Sequence, residues 1–134
     1  MGFKDADEVR HYIGSVFQAG FDDPEIGPKM QATGIVVKFA FTDPETDLVI
    51  DMGKQEIGPG VGMAEPTAVM RMTAELGSAY WQGKVNLPLS MARGKIKVDG
   101  NVASLLKLAP LGKKLFPKYV ETLRAEGRED LVVA

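Results

Sequence analysis

The stretch GKIKVDGN at residues 94–101 gives the clearest indication of how this chain folds. Lysine alternates with an apolar residue from Lys95 to Val98, which is the period-two pattern of a strand with one buried face. Gly94 is typical of a residue that ends a helix, and Asn101 is a preferred helix N-cap. The stretch therefore predicts a short strand between two helices.

The two flanking helices follow from the residues on either side. A short helix is predicted from Asn86 to Arg93, with Leu87 and Met91 inward. Proline lacks the N–H that a helix interior needs, so Pro110 and Pro117 are expected to divide the region after Asn101 into short helices. The predicted inward residues are Val102, Leu105, Leu106 and Ala109 before Pro110, and Leu111, Leu115, Tyr119 and Leu123 beyond it.

Two helices are predicted near the N-terminus. The first begins at an N-capping Asp5 and ends before Gly20, and the second runs from Asp23 to Gly34. Their apolar residues recur at helical spacing. The predicted inward residues are Val9, Tyr12, Ile13, Val16 and Phe17 on the first helix, and Ile26 and Met30 on the second.

Strands replace helices after Gly34. Residues 35–41 alternate with period two, residues 42–46 (TDPET) supply turn chemistry, and residues 48–52 are again apolar, which predicts a hairpin. Glycine and proline weaken residues 55–63, although pairing can continue there at a sheet edge. Residues 67–73 form the next predicted strand. The apolar faces are Ile35, Val37, Phe39 and Phe41 on the first strand, and Ala68, Met70 and Met72 on the last.

The order of these elements indicates the fold class. Thr73 is expected to cap a further helix that ends near Gly83 and turns Leu76, Ala79 and Tyr80 inward. Helices, strands and then helices with one late strand follow each other along the chain. This order favours an α+β fold in which helices cover one face of a mostly antiparallel sheet.

Composition narrows the function further. A chain of 134 residues is the size of one domain, residues 1–134, and its net charge of -2 argues against nucleic acid as a partner. The absence of cysteine excludes thiolate catalysis and cysteine-ligated metals. The acidic start MGFKDADE is unlike a secretory signal, no apolar run approaches the length of a membrane span, and the end VVA is unlike a peroxisomal signal. A cytoplasmic protein is expected.

Residues 76–108 resemble the sterol carrier protein type-2 family. The matching residues are Gly83-Lys84, Leu87-Pro88, Met91, residues 94–101 and residues 105–108. The hairpin and residues 67–75 are also similar, so the likeness extends along the whole chain. The resemblance implies a five-stranded sheet covered by helices, with an apolar tunnel that holds sterols, fatty acids or acyl-CoA. Some members of that family are domains of larger enzymes, so the fold alone does not identify a ligand.

Candidate ligand-binding residues are the methionine, aromatic and leucine side chains of the predicted inward faces. Flexible thioethers adapt to irregular apolar shapes, so methionine beside aromatic rings suits a ligand cavity. An ordinary packed core is the alternative interpretation of the same residues. The candidates are Phe39, Phe41, Met52, Met70, Met72, Tyr80, Trp81, Met91, Leu105, Leu108, Leu111 and Leu115.

The sequence offers little for catalysis. His11, the only histidine, lies off the apolar face of its helix and is expected to be solvated, so no metal or other cofactor is predicted. Residues 58–62 (GPGVG) lack the spacing of a phosphate-binding loop and predict a turn or bulge, or a flap at a pocket mouth. Non-catalytic lipid binding is the leading hypothesis. The alternatives are a small enzyme using Asp51 and Tyr80 on an apolar substrate, and a protein-interaction subunit.

A basic segment near the C-terminus suggests a second partner. Lys107, Lys113, Lys114 and Lys118 lie between Gly100 and Tyr119 without an acidic residue. They can contact an anionic membrane transiently, or form a solvated helix face. We expect the segment around Pro117 to open as a lid for the ligand. The sequence does not indicate an oligomeric state.

Overall fold

The computed structural model describes residues 2–133 and contains one sheet with helices packed on it. The strands are β1 (Val36–Thr42), β2 (Thr46–Asp51), β3 (Glu56–Gly58), β4 (Ala68–Thr73) and β5 (Lys97–Gly100). The helices are α1 (Ala6–Asp22), α2 (Ile26–Thr33), α3 (Ala74–Trp81), α4 (Leu87–Ala92), α5 (Val102–Lys113) and α6 (Phe116–Ala125), followed by a 3₁₀ turn (Glu129–Leu131).

The sheet has five strands in the order β3-β2-β1-β4-β5. All neighbours pair antiparallel except β1 and β4, which are parallel. The predicted α+β fold with a five-stranded, mostly antiparallel sheet is therefore confirmed. The parallel pair requires the chain to cross from edge strand β3 to β4, and Gly60 of this connection packs against Val49 on the way.

The two faces of the sheet differ in polarity. Register puts Phe39 opposite Leu48 on one side and Met70 on the other, so these apolar side chains share one face, which the helices cover. The opposite face carries charged residues. They include two ion pairs, Lys38 with Asp47 at 3.7 Å and Arg71 with Asp99 at 3.2 Å.

Side-chain caps begin the helices largely where the sequence predicts them. The side-chain oxygens of Asp5, Thr73, Asn86 and Asn101 accept hydrogen bonds from backbone N–H groups in the first turns of α1, α3, α4 and α5. Asp23 accepts from the N–H of Glu25 and of Ile26, so α2 begins at Ile26 rather than at the predicted Asp23.

Two local predictions, for β5 and for α3, differ from the structure. Strand β5 begins at Lys97 rather than Lys95, although Ile96 is buried as the alternation predicts. In α3 the buried residues are not the predicted ones, which are only partly buried. The face that packs on the sheet holds small residues, because a Cβ on Gly77 would lie 2.6 Å from the Phe41 ring. Its buried residues are Ala74, Gly77, Ser78 and Trp81.

The effect of the prolines was also wrongly predicted. Pro110 lies inside α5, which continues to Lys113, and the break between α5 and α6 falls at Lys114 and Leu115. Pro117 occupies the first turn of α6, where no N–H is needed for a helical hydrogen bond. It therefore does not interrupt a helix.

The inward face of α5 is rotated relative to the prediction. Leu105 and Ala109 do face inward, but the side chain of Leu106 is 57 % exposed and that of Val102 is 37 % exposed. The helix is apolar on more than one side, so its sequence does not select a single inward face. None of the helices formed by residues 2–133 is both long and apolar enough to span a bilayer.

Candidate ligand-binding site

An apolar cavity lies between the helix-covered face of the sheet and the helices. Strands β1 and β4 supply one wall, with Phe39, Phe41, Met70 and Met72, which their register places side by side. Helices α3 and α5 supply much of the opposite wall. The other lining residues are Phe17, Met30, Val37, Met52, Gly77, Tyr80, Trp81, Leu87, Leu105, Leu108, Ala109, Leu111, Gly112 and Leu115.

The structure brings nearly all the predicted site residues together. Each of the candidates except Met91 lies on the cavity wall. Met91 is half-buried against the core instead, because only the first turn of the short helix α4 reaches the cavity, through Leu87. Their role in binding stays a prediction.

Several lining residues were missed by sequence analysis. Phe17 of α1 and Met30 of α2 were predicted to face inward, but they were interpreted as core residues and not as part of a ligand-binding site. Gly77 and Gly112 line the cavity through their lack of a side chain: a Cβ on Gly112 would lie 3.2 Å from the Trp81 ring. A glycine gives no apolar signal in a sequence, so these positions could not be found from periodicity.

The cavity is narrow. Counted out to the solvent at its mouth, the empty space is about 730 Å³, but only a small part of it is wide enough to admit a water molecule. A long ligand therefore requires lining side chains to move apart. Four methionines in the wall (Met30, Met52, Met70 and Met72) make such movement easier, because an unbranched thioether has several accessible rotamers.

A family comparison identifies this arrangement. The model of the SCP-2 sterol transfer family matches residues 15–113, which is most of the chain. The chain belongs to this family. A search of curated protein sequences finds no match to this chain.

Solved structures of SCP-2 domains share the fold. The sterol carrier protein domain 2 of Helicoverpa armigera superposes with a TM-score of 0.67 at 23% identity, covering 81% of this chain and 88% of that chain. Sterol carrier protein 2 of Aedes aegypti, solved in complex with palmitate, gives 0.56 at 23% identity, covering 84% and 96%. An inverting sec-alkylsulfatase from Pseudomonas sp. gives 0.51 at 17% identity, covering 68% of this chain but 14% of the enzyme. The fold thus occurs both alone and within a larger enzyme.

The cavity of this SCP-2 domain has no charged lining residue among residues 2–133. Tyr80 brings a hydroxyl group, and burial raises the pKa of that hydroxyl above its usual value. The phenol is therefore neutral over the ordinary pH range. A ligand in the cavity would therefore make mainly apolar contacts, with the Tyr80 hydroxyl as a neutral polar group.

The residues considered for catalysis are dispersed. Asp51 is buried on β2 and accepts a hydrogen bond from the Lys54 N–H, and within the described chain it is not part of the cavity wall. His11 is exposed, as predicted, and its Nε2 lies 2.9 Å from Oε1 of Glu126 on α6. Residues 2–133 bring no three His, Cys, Asp or Glu side chains close enough to hold a metal ion.

A cluster of buried polar side chains lies near the cavity but outside its wall. The Ser78 and Tyr119 hydroxyls are 2.7 Å apart, and the Gln82 side-chain amide donates to Ser78 and to the carbonyl of Leu131. Gln82 also accepts from the N–H of Val133. Burial raises the pKa of Tyr119 to about 12. None of these groups lines the cavity within the described residues, so the cluster anchors the C-terminal segment rather than a ligand.

The GPGVG loop forms bends and a turn after β3, as the sequence predicts, and two of the predicted basic residues form ion pairs. Pro59 and Val61 border a shallow polar groove with Arg10 and Arg71, so the loop is not a flap over the apolar cavity. Lys114 pairs with Glu25 and Lys118 with Asp23, each at 3.6 Å. These pairs tie the junction of α5 and α6 to the start of α2.

Proposed function

We propose that residues 1–134 form one lipid-binding domain that holds a single fatty acid or sterol-like molecule in the apolar cavity and catalyses no reaction on it. The observation that carries this proposal is the uncharged wall built from β1, β4, α3 and α5. The palmitate bound by the Aedes aegypti relative makes a long-chain fatty acid the first ligand to test.

Affinity in this proposal comes from burial of the ligand's apolar surface. Each CH₂ group transferred from water contributes about 0.8 kcal/mol, so an acyl chain has enough apolar surface to offset the cost of separating the lining side chains. No cationic side chain among residues 2–133 lines the cavity, so the carboxylate of a fatty acid stays at the mouth.

The enzyme alternative has weaker support. It required Asp51 and Tyr80 to act on the same substrate, and only Tyr80 borders the cavity. A protein-interaction role gains nothing from the cavity itself. The cytoplasmic location expected from the sequence stays a prediction, which fractionation of the source cells would check.

Native mass spectrometry of freshly purified protein, followed by denaturing extraction, tests the proposal directly. We expect a bound lipid in the native spectrum and its release on denaturation. Calorimetric titration of delipidated protein with palmitate should then give one site per chain, because a domain of this size has room for one large pocket. Absence of both a co-purifying lipid and any binding of a fatty acid or sterol panel would overturn it.

A further inference from the structure

The apolar cavity and the polar groove meet at one end of the sheet. Among residues 2–133, Phe41 of β1 and Met72 of β4 are the residues that border both spaces. They are partners in the parallel register, and each is the last cavity residue on its strand. The residues that follow them, Thr42 and Thr73, are exposed and border the groove. Phe41 and Met72 therefore form the boundary between the two spaces.

This boundary is closed. Phe41 is only 3 % exposed and Met72 only 7 %, although both border the open groove. The other strand residues of the cavity wall are also buried, whereas the partly exposed lining residues all lie on helices. The mouth of the cavity therefore lies among the helices and not at this boundary. The partly exposed lining residues are Tyr80, Leu87, Leu105, Leu108, Ala109 and Leu111.

Helix α3 packs against both side chains of the boundary. A Cβ on Gly77 would lie 2.6 Å from Cε1 of Phe41 and 3.5 Å from the sulfur of Met72. The ring and the thioether therefore fill the space that the missing side chain of Gly77 leaves. The Phe41 ring also stacks on that of Phe39, with the centroids 5.8 Å apart and the ring planes at 5°. Phe41 is thus the rigid part of the boundary, since the unbranched Met72 adapts more easily.

The two spaces on either side of the boundary differ in chemistry. An acyl chain gains affinity by burial only as far as the boundary, because the groove beyond it is polar and open. A charged group inside the cavity would find no charged partner among the described lining residues. The charged residues that line the groove are Arg10, Glu45, Asp47, Arg71, Lys95 and Lys97.

We propose that Phe41 and Met72 are the end wall of the cavity, and that Phe41 limits the length of the acyl chain that the protein holds. This rests on the proposed function and deepens it. The ligand is a chain with one polar end, which stays at the mouth, and an apolar far end, which contacts the Phe41 ring. A chain longer than the cavity leaves its extra CH₂ groups in water, where they add no affinity. A polar group at the far end is excluded, because it would be buried without a partner.

Calorimetric titration of the delipidated full chain with saturated fatty acids shorter and longer than palmitate measures the length limit. Below the limit each added CH₂ should raise the affinity about fourfold, which corresponds to about 0.8 kcal/mol, and beyond it the affinity should level off. Phe41→Ala removes the ring, so its limit should move to longer chains. Phe41→Leu keeps an apolar side chain in the core, so it perturbs the fold less and should move the limit less.

Phe39→Ala is the matched control. It removes the same ring from the same face of β1, and Phe39 borders the cavity but not the groove. The variant widens the side of the cavity, so it should change the affinity for all chain lengths by a similar factor and leave the limit where wild type has it. An equal shift in Phe39→Ala and Phe41→Ala would contradict an end wall at Phe41.

The α,ω-dicarboxylic acid with as many carbons as palmitate tests the far end of the cavity. Wild type should bind it about a hundredfold or more weaker than palmitate, because the second carboxylate would be buried beside Phe41. In Phe41→Ala that carboxylate can reach the groove, which Arg71, Lys95 and Lys97 line, so the difference should shrink about tenfold. Phe39→Ala should discriminate as wild type does. If wild type binds the diacid as tightly as palmitate, the cavity is open at Phe41 and the proposal is wrong.

Three outcomes separate the end wall from the binding function. If wild type binds no fatty acid of any length, the proposed function fails and the end wall falls with it. If wild type binds fatty acids but both Phe41 variants keep its length limit, lipid binding stands and the end wall fails. Faster release of a fluorescent fatty acid from Phe41→Ala with an unchanged limit would place Phe41 at the mouth, which also overturns the proposal.

Discussion

Met70 and Met72 stand on β4 with their side chains on the cavity wall, and both are buried. Replacing Met70 with tryptophan adds volume where the wall borders free space. We expect Met70→Trp to retain the fold. Its free energy of unfolding should fall by less than the loss typical of overpacking a closed core, which is about 1–3 kcal/mol, while its capacity for palmitate falls several-fold. Denaturant unfolding and palmitate calorimetry measure the two effects.

The solvent-exposed Val61→Trp controls for tryptophan itself and should leave both quantities unchanged. An unfolded Met70→Trp protein would favour the other interpretation of these residues, an ordinary packed core.

Tyr119 is a residue whose role is structural. Tyr119→Phe removes the hydroxyl that contacts Ser78 and should cost about 1–3 kcal/mol, as expected when a buried polar partner loses its hydrogen bond. Because burial raises the pKa of Tyr119 to about 12, its folded form favours the protonated phenol. The resulting stability is present below pH ~10 and is lost as the pH rises through 12.

Urea unfolding as a function of pH checks this prediction. Between pH ~10 and 12, the free energy of unfolding should fall more for wild type than for Tyr119→Phe. The affinity for palmitate should be the same in both proteins. Parallel pH profiles would show that the buried hydroxyl does not titrate with unfolding.

At the level of elements, α5 is the helix best suited to open. Pro110 lies in its interior, so the Leu106 carbonyl lacks the N–H that an ordinary residue at position 110 would donate. Pro110→Ala restores that donor and removes a defect that costs a helix about 3 kcal/mol. We expect Pro110→Ala to release a fluorescent fatty acid more slowly, as measured by stopped flow. The position of α5 in the fold should be nearly unchanged.

Pro117→Ala is the matched control, since Pro117 sits in the first turn of α6 where its missing N–H is not needed. Equal release rates for the two variants would mean that α5 does not open at Pro110.

Sequence reasoning was most successful where a side chain acts locally. The caps at Asp5, Thr73, Asn86 and Asn101 depend on residues within one turn, and they begin helices as predicted. The parallel pairing of β1 with β4 could not be predicted, because a strand's sequence does not record its partner. The inward faces of α3 and α5 were predicted only in part, since glycine at the contact and leucine on several sides leave periodicity without a unique answer.

At the level of the whole molecule, the ends of the chain extend the domain beyond the region that matches the family. Tyr119 and Leu123 of α6 lie after residue 113 yet are fully buried in the core. Arg128 pairs with Glu8 of α1 at 2.8 Å and lies over the Tyr12 ring. Helix α6 therefore closes the same core as α1, which supports the proposal that the chain forms one domain.

A cavity in the core couples ligand binding to stability of the whole molecule. The side chains around the empty space lack packing partners, and a ligand that fills it binds only the folded state. At a free palmitate concentration of about 100 times the dissociation constant, the stabilisation is about 2.7 kcal/mol, or about 10 °C in melting temperature for a domain of this size. Without ligand, the melting temperature of Met70→Trp should be at most a few degrees below that of delipidated wild type. Palmitate should raise the melting temperature of Met70→Trp much less than that of wild type. Scanning calorimetry of both proteins with and without palmitate measures this, and an equal gain in the two would mean that the ligand binds somewhere other than the space beside Met70.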